Sequence, residues 1–226
     1  MAAIRATSTA FIGTSSCSNR TMPIPPAAAR RCPWCGEDPL YVHYHDREWG
    51  FPVADDTRLF EKLCLEGFQS GLAWITILRK REGFREAFAG FDIDRVARMS
   101  ARDVTRLLGN PAIVRHRGKI ESAINNATRA RELRDEAGSL AAYFWRYEPA
   151  KSSRPRKLTP AALQGMATSP ESVALAKDLK QRGWSFVGPT TVYAFMQAMG
   201  LVNDHLHDCD TQRTVAAARK AFAVPR

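Results

Sequence analysis

The chain has 226 residues, 45% of them hydrophobic and 25% charged, with 33 Lys+Arg against 23 Asp+Glu and a formal net charge of +10. A chain of this length buries about 70% of its unfolded surface and needs no disulfide staples, and its composition excludes a wholly disordered, collagen-like or disulfide-rich polymer. The basic excess favours polyanionic partners, nucleic acid first.

Residues 1–30 carry no acidic residue, are rich in Ser, Thr and Ala, and hold Pro23, Pro25 and Pro26. Three readings stay open for them: a disordered basic tail, an organellar transit segment, or a mis-assigned start with translation from Met22. No apolar run has the length of a secretory signal, so the expected compartment is the cytoplasm, with organellar import left open. The five cysteines, at 17, 32, 35, 64 and 209, form an odd count that suits a reducing compartment.

Cys32 and His45 stand at the start of the ordered region. Cys32-Pro33-Trp34-Cys35 has the spacing of a redox dithiol, but no thioredoxin-like βαβ pattern surrounds it. Tyr41, Tyr44 and Trp49 crowd the next stretch, with Trp34 just before it. Asp55, Asp56 and Thr57 offer a cap and an acidic first turn for a long helix. Leu59, Phe60, Leu63, Cys64, Gly67, Gly71, Trp74, Ile75 and Leu78 follow at steps of three and four, which predicts one helix through to Leu78. Glu66 falls beside that apolar stripe, either paired in the core or accepting hydrogen bonds in an aromatic-walled slot. Such a slot suits a flat, electron-poor base held by stacking.

Ser100 with Asp103 has the form of a capping box. Ile120, Ala123, Ile124, Ala127, Ala130 and Leu133 mark a helix that stops at Gly138. Ser139 starts another, ended by Pro149. Lys151–Lys157 reads as a basic loop. Ser169-Pro170-Glu171 supplies cap, first-turn proline and acid in order for a helix to about Arg182. Gly183–Thr191 then reads as a turn between two helices, with Pro189 at the first position of the second. It is either a plain corner or a place where free N–H groups take a phosphate, with Gly188 allowing close approach. Residues 183–203 carry no charge, but Pro189, Ser185, Thr190, Thr191 and Gln197 argue against a membrane span. No period-2 strand and no repeat appears, so the fold class is all-α. His205 and Cys209, four apart, share one helical face. With Cys32 and His45 they would make a closed tetrahedral zinc set joining the chain ends; the other reading is chance spacing, the commoner case for a lone His-x-x-x-Cys, and Cys35, His43 and His207 compete as ligands.

Several segments together resemble DNA-3-methyladenine glycosylase I. They are Arg31-Cys32-x-Trp34, Asp38-Pro39-Leu40-Tyr41, Tyr44-His45-Asp46-x-Glu48-Trp49-Gly50, Leu65-Glu66-Gly67, Gly71-Leu72-x-Trp74-Ile75, the run Ile113–Ile120, Phe186-Val187-Gly188 and the run Gly200–His205. The resemblance spans about residues 31–209. It implies a helix-hairpin-helix glycosylase fold over 31–212, a C-terminal tail over 213–226, and a structural zinc clasp on Cys32, His45, His205 and Cys209. It implies a base pocket of Glu66, Trp74, Tyr44 and Tyr41 with Trp34 and Trp49 nearby, and a DNA-backbone grip at Gly183, Val187, Gly188 and Thr190. Where the family is Thr-rich after the hairpin glycine, Pro189 stands here. The implied reaction is hydrolytic excision of 3-methyladenine from alkylated double-stranded DNA, by a monomer acting at the bacterial nucleoid. Glu66 ranks above Asp204 as the catalytic carboxylate, because Asp204 adjoins a metal ligand. No lysine stands out as a Schiff-base nucleophile, so strand cleavage is not expected. The rivals are a non-catalytic DNA-binding module, which would not need the aromatic cluster, and a zinc hydrolase, which would need an open metal position.

Overall fold

The computed structural model describes residues 30–225, and the expectations for residues 1–29 lie outside them. The described residues fold as α1 (Pro39–Arg47), α2 (Asp56–Gln69), α3 (Trp74–Arg79), α4 (Arg81–Ala87), α5 (Ile93–Ala97), α6 (Ala101–Leu108), α7 (Arg117–Ala137), α8 (Leu140–Phe144), α9 (Pro160–Gln164), α10 (Pro170–Gln181), α11 (Pro189–Ala198) and α12 (Asp210–Ala221), with short 3-10 turns between some of them. No strand occurs among the described residues, and no described helix is long and apolar enough to cross a membrane.

Helix α2 is the centre. Asp55 caps it, accepting from the Arg58 N–H at 2.8 Å. Every residue from Leu59 to Phe68 is buried, so α2 is enclosed on all sides rather than amphipathic. Helices α3, α7, α8 and α11 pack around it. Its first residue, Asp56, accepts from the Leu140 and Ala141 N–H groups, both at 3.0 Å, and so caps α8 from across the core. Phe68 meets Phe84 at 4.6 Å and Phe88 meets Phe91 at 5.6 Å, extending the core under α4. A left-handed run at Ala89, Gly90 and Phe91 bends the chain so that Phe91 is fully buried.

The expected helix through to Leu78 is two helices. Helix α2 stops at Gln69 and α3 begins at Trp74. Gly71 adopts φ +80°, which closes the turn and breaks the helical path. The buried Lys119 Nζ donates to the carbonyls of Phe68 and Ser70, at 2.8 and 2.6 Å, and so satisfies α2's open C-terminal end. The three-and-four stepping continues through this turn by coincidence of Gly67, Gly71 and Trp74. Four other expected boundaries stand: the Ser100–Asp103 capping box, Gly138 after α7 at φ +81°, the Ser169 cap of α10 and Pro189 opening α11. Ser139 caps α8 as expected, but the helix stops at Phe144 and passes into a 3-10 turn over Trp145–Tyr147 well before Pro149.

The first described residue meets Asp210. Arg30 and Asp210 exchange two hydrogen bonds, Arg30 N–H to the Asp210 carboxylate and Asp210 N–H to the Arg30 carbonyl, each 2.9 Å. Helix α12 begins there, buries Val215, and is followed by Phe222, which packs on Trp145 at 4.7 Å. The boundary expected at 212 falls inside this helix.

Candidate active site and metal centre

Helix α1 carries the site's first layer. Asp38 caps it by accepting from the Leu40 and Tyr41 N–H groups, and Pro39 fills the first turn. Three of its residues, Tyr41, Tyr44 and His45, then point to two adjoining centres.

The first centre is the meeting of Cys32, His45, His205 and Cys209, all buried, with one ligand atom from each within 4.8 Å of all the others. Cys209 Sγ lies 3.6 Å from both His45 Nε2 and His205 Nδ1, Cys32 Sγ lies 3.7 Å from His205 Nδ1, and the two imidazole nitrogens are 3.1 Å apart. Each ring is aimed by its far nitrogen: His45 Nδ1 meets the Asp46 carboxylate at 2.8 Å, and His205 Nε2 meets the Trp49 carbonyl at 2.9 Å. Arg31 clamps Asp46 in turn, at 2.9 and 3.0 Å. Hydrogen bonding from Cys32, with help from both imidazoles, draws the Cys209 thiol far below its usual range, while the same contact and burial push Cys32 up. Two thiols in such contact ionise together only around a cation. Cys35 and His207 stand aside: the Cys35 thiol donates to the Cys32 carbonyl, and His207 bonds the Leu158 carbonyl.

The second centre is a cavity of about 220 Å³ walled by Trp34, Tyr41, Tyr44, Trp49 and Trp74, with Glu66, Gln69, Leu163, Ala194 and Gln197 completing it. All six residues expected for a base pocket are therefore together. Trp34 stands edge-on to Tyr41 at 5.1 Å and to Trp49 at 4.9 Å, and Tyr44 meets Trp74 at 5.4 Å. The two centres share a wall, since Trp49 packs on His205 at 4.6 Å and Trp34 on His45 at 5.2 Å. A metal at the first centre would thus stiffen the second.

Glu66 is buried and already paired. Lys62, one turn earlier on α2, places Nζ 2.9 Å from Glu66 Oε1. The same Nζ donates to Tyr44 Oη at 2.6 Å and sits 3.4 Å from the centroid of the Trp74 ring. Burial holds the Lys62 ammonium below the usual lysine range, against the pull of Glu66. Burial and the Glu66 carboxylate push the Tyr44 phenol well up, so it stays protonated. From sequence, Lys62 reads as an ordinary charged residue of a helix. The signal for it was its i, i+4 spacing to Glu66. Gln69, Leu163, Ala194 and Gln197 carry no such signal, because they reach the cavity only through the packing of α2, α9 and α11.

Asp204 is fully buried away from the cavity wall. It accepts from Arg154, from Tyr193 Oη at 2.7 Å and from Gln197 Nε2 at 2.9 Å, and makes no bond to the His205 ring. The far nitrogens of His45 and His205 are met by Asp46 and the Trp49 carbonyl instead.

The turn between α10 and α11 lies beside Gly67 of α2, whose Cα faces Phe186. Gly183 takes φ +83° and its carbonyl accepts from Asn125 at 2.8 Å. Ser185 is pinned to α7 by Asn126, which accepts from its N–H at 3.0 Å and donates to its carbonyl at 2.9 Å. Val187 is buried, so its side chain anchors the turn and only its backbone can face a ligand. Gly188 caps α11 with open space beyond its Cα, Pro189 has no N–H, and Thr190 is exposed. The first free N–H groups of α11 are thus those of Thr190 and Thr191.

The family model for methyladenine glycosylase matches residues 34–213. The DNA-3-methyladenine glycosylase of Haemophilus influenzae is 46% identical over 180 residues, which cover 79% of this chain and 96% of that protein. DNA-3-methyladenine glycosylase 1 of Escherichia coli K12 is also 46% identical, over 79% of this chain and 95% of its own. A crystal structure of 3-methyladenine DNA glycosylase I superposes with a TM-score of 0.72 at 49% identity, covering 80% of this chain and 98% of that one. The Staphylococcus aureus 3-methyladenine DNA glycosylase I, solved to explain 3-methyladenine recognition, gives a TM-score of 0.75 at 38% identity over 82% of this chain and 98% of that one. By the match of sequence and of structure alike, the chain belongs to the methyladenine glycosylase family.

Proposed function

We propose that the chain is a monofunctional DNA repair glycosylase that extrudes 3-methyladenine from alkylated double-stranded DNA and hydrolyses its N-glycosidic bond. The observation that carries this reading is an aromatic slot with one buried carboxylate, set beside a turn that offers free N–H groups at a helix N-terminus. In a duplex the reacting sugar carbon is shielded by the stack, so the lesion must leave the helix to reach the slot. Methylation at N3 makes the attached base cationic. When water forms its bond to C1′, the C1′–N9 bond breaks and its electron pair returns to the ring, so the base departs neutral and the water's surplus proton passes to solvent. Such a leaving group needs little acid catalysis, which suits a slot of rings and one carboxylate.

Each group has its task in this reading. Trp34, Tyr41, Tyr44, Trp49 and Trp74 stack on or enclose the base. Glu66 accepts a hydrogen bond from the base edge. The α10–turn–α11 unit serves as the helix-hairpin-helix element. The backbone at Gly183, Val187 and Gly188 and the exposed Thr190 receive a phosphate, helped by the basic excess of the chain. The chain acts on DNA as a monomer, in the cytoplasm.

The clasp is proposed to hold zinc in a structural role. With Zn–S near 2.3 Å and Zn–N near 2.05 Å, a tetrahedron has S···N edges of about 3.6 Å and an N···N edge of about 3.3 Å. The observed edges of 3.6–3.7 Å and 3.1 Å support that fit. Four protein ligands leave no position for a reacting water, so a hydrolytic zinc is not supported.

Binding of the free base tests the site. Titration of tryptophan fluorescence with 3-methyladenine is expected to saturate in the wild type and to vanish in Trp74→Ala. A wild type whose emission does not respond would refute the assignment of the slot.

A further inference from the structure

Lys62 lies outside every expectation drawn from the sequence, yet its ammonium touches three walls of the slot at once. Tyr44 and Trp74 line both the 220 Å³ cavity and a second, much smaller one behind it. Glu66 faces the first and Lys62 the second. Lys62 therefore stands behind the ring wall and acts through it. An ammonium has donors and no acceptor. The 2.6 Å contact must run from Nζ to Tyr44 Oη, and the 2.9 Å contact from Nζ to Glu66 Oε1. With Oη accepting from the rear, the phenol's own proton is left to point into the slot. With Oε1 engaged, Oε2 remains as the acceptor.

We infer that Lys62 is a positioning residue that fixes the hydrogen-bond polarity of the slot, with Tyr44 as donor and Glu66 as acceptor, and so selects adenine-type over guanine-type bases. The inference rests on the base-excision reading above. Adenine's outer edge offers an amino donor beside a ring-nitrogen acceptor, the complement of this pair. Guanine's offers two acceptors, one of which would face the carboxylate. Without Lys62, the Tyr44 hydroxyl is free to turn its proton to Glu66, and both walls lose their assigned sense. The Lys62–Glu66 pair also makes the slot neutral overall, so a cationic base is not chosen by net charge alone.

The test compares wild type, Lys62→Met and Lys62→Arg on duplex DNA carrying both 3-methyladenine and 3-methylguanine, reading the ratio of the two release rates. Lys62→Met is expected to lower the adenine-to-guanine ratio about ten-fold or more, the usual worth of a charged hydrogen bond. Lys62→Arg keeps charge and donors and is expected to restore the ratio. A Lys62→Met protein that slows both releases by one factor overturns the inference, because a merely structural lysine acts that way. A wild type that releases no methylated purine overturns the functional reading and this inference with it. A measurement on wild type alone guards against a variant that fails to fold. Free 3-methyladenine is expected to bind at least about ten-fold tighter than free 3-methylguanine, and equal affinities overturn the inference.

Discussion

Glu66→Gln removes one charge from an ion pair whose members are both buried. The amide keeps the shape, but Lys62 is left as an uncompensated buried cation. Breaking a buried pair from one side costs about 3 kcal/mol or more. For a domain of this size that lowers Tm by about 6–12 °C. Lys62 can escape the cost by losing its proton, because burial already holds it below the usual lysine range. The unfolded chain then binds more protons than the folded one, so stability rises with pH. The deficit of Glu66→Gln is full below the folded Lys62 value and fades as pH climbs from there toward about 10.4, the free lysine value. The assay is thermal melting of wild type, Glu66→Gln, Lys62→Met and the double variant between neutral and alkaline pH. The double variant has neither charge and is expected to recover most of the lost Tm. Base release by Glu66→Gln is expected to fall about ten-fold or more, through loss of a charged hydrogen bond to the base, and the double variant is not expected to regain it. Stability and catalysis are separated in this way. A Glu66→Gln protein that melts within about 1 °C of wild type at neutral pH would show that the pair does not hold the core.

Three further outcomes follow from the geometry. Cys209→Ser is expected to lose its bound metal in elemental analysis and to melt more than about 10 °C lower, since the clasp contributes folding energy. Full metal content in that variant would contradict the ligand assignment. Gly188→Asp is expected to fold normally, because nothing lies within 4 Å of a Cβ there. It is expected to bind DNA about ten-fold more weakly at low salt, by placing an acid beside a phosphate. Unchanged affinity would make the turn a plain corner. Gly200→Ala is expected to lose about 3 kcal/mol on denaturant melting. Its Cβ would fall 2.5 Å from Pro52 N, at a backbone φ of +78°.

Much of this molecule is legible in residue spacing. Caps and stops at Asp55, Ser100, Gly138, Ser169 and Pro189 are local signals, and they mark real helix ends. The four clasp residues were legible through the family resemblance, because each Cys/His pair by itself is commonly chance, and the structure brings all four together. Spacing alone did not separate them from Cys35, His43 and His207; the fold does, by turning Cys35 and His207 to backbone carbonyls. What escaped was set by tertiary packing. Trp74 reads as a continuation of α2 because the period survives the turn at Gly71. The turn is enforced by Lys119, 49 residues beyond Ser70. Asp56 reads as a first-turn acid of α2, yet it also caps α8, 84 residues on. Lys62 reads as surface charge because periodicity cannot tell that α2 is enclosed on every side.

Release of a free base from methylated duplex DNA tests the central claim most directly. The purified chain, with its metal content measured, is incubated with the DNA, and the liberated small molecules are separated and identified. The account predicts 3-methyladenine as the dominant product, an intact strand bearing an abasic site, and little release from Trp74→Ala. Tight DNA binding with no base released would contradict it, and would leave a DNA-binding module that shares the fold but not the chemistry.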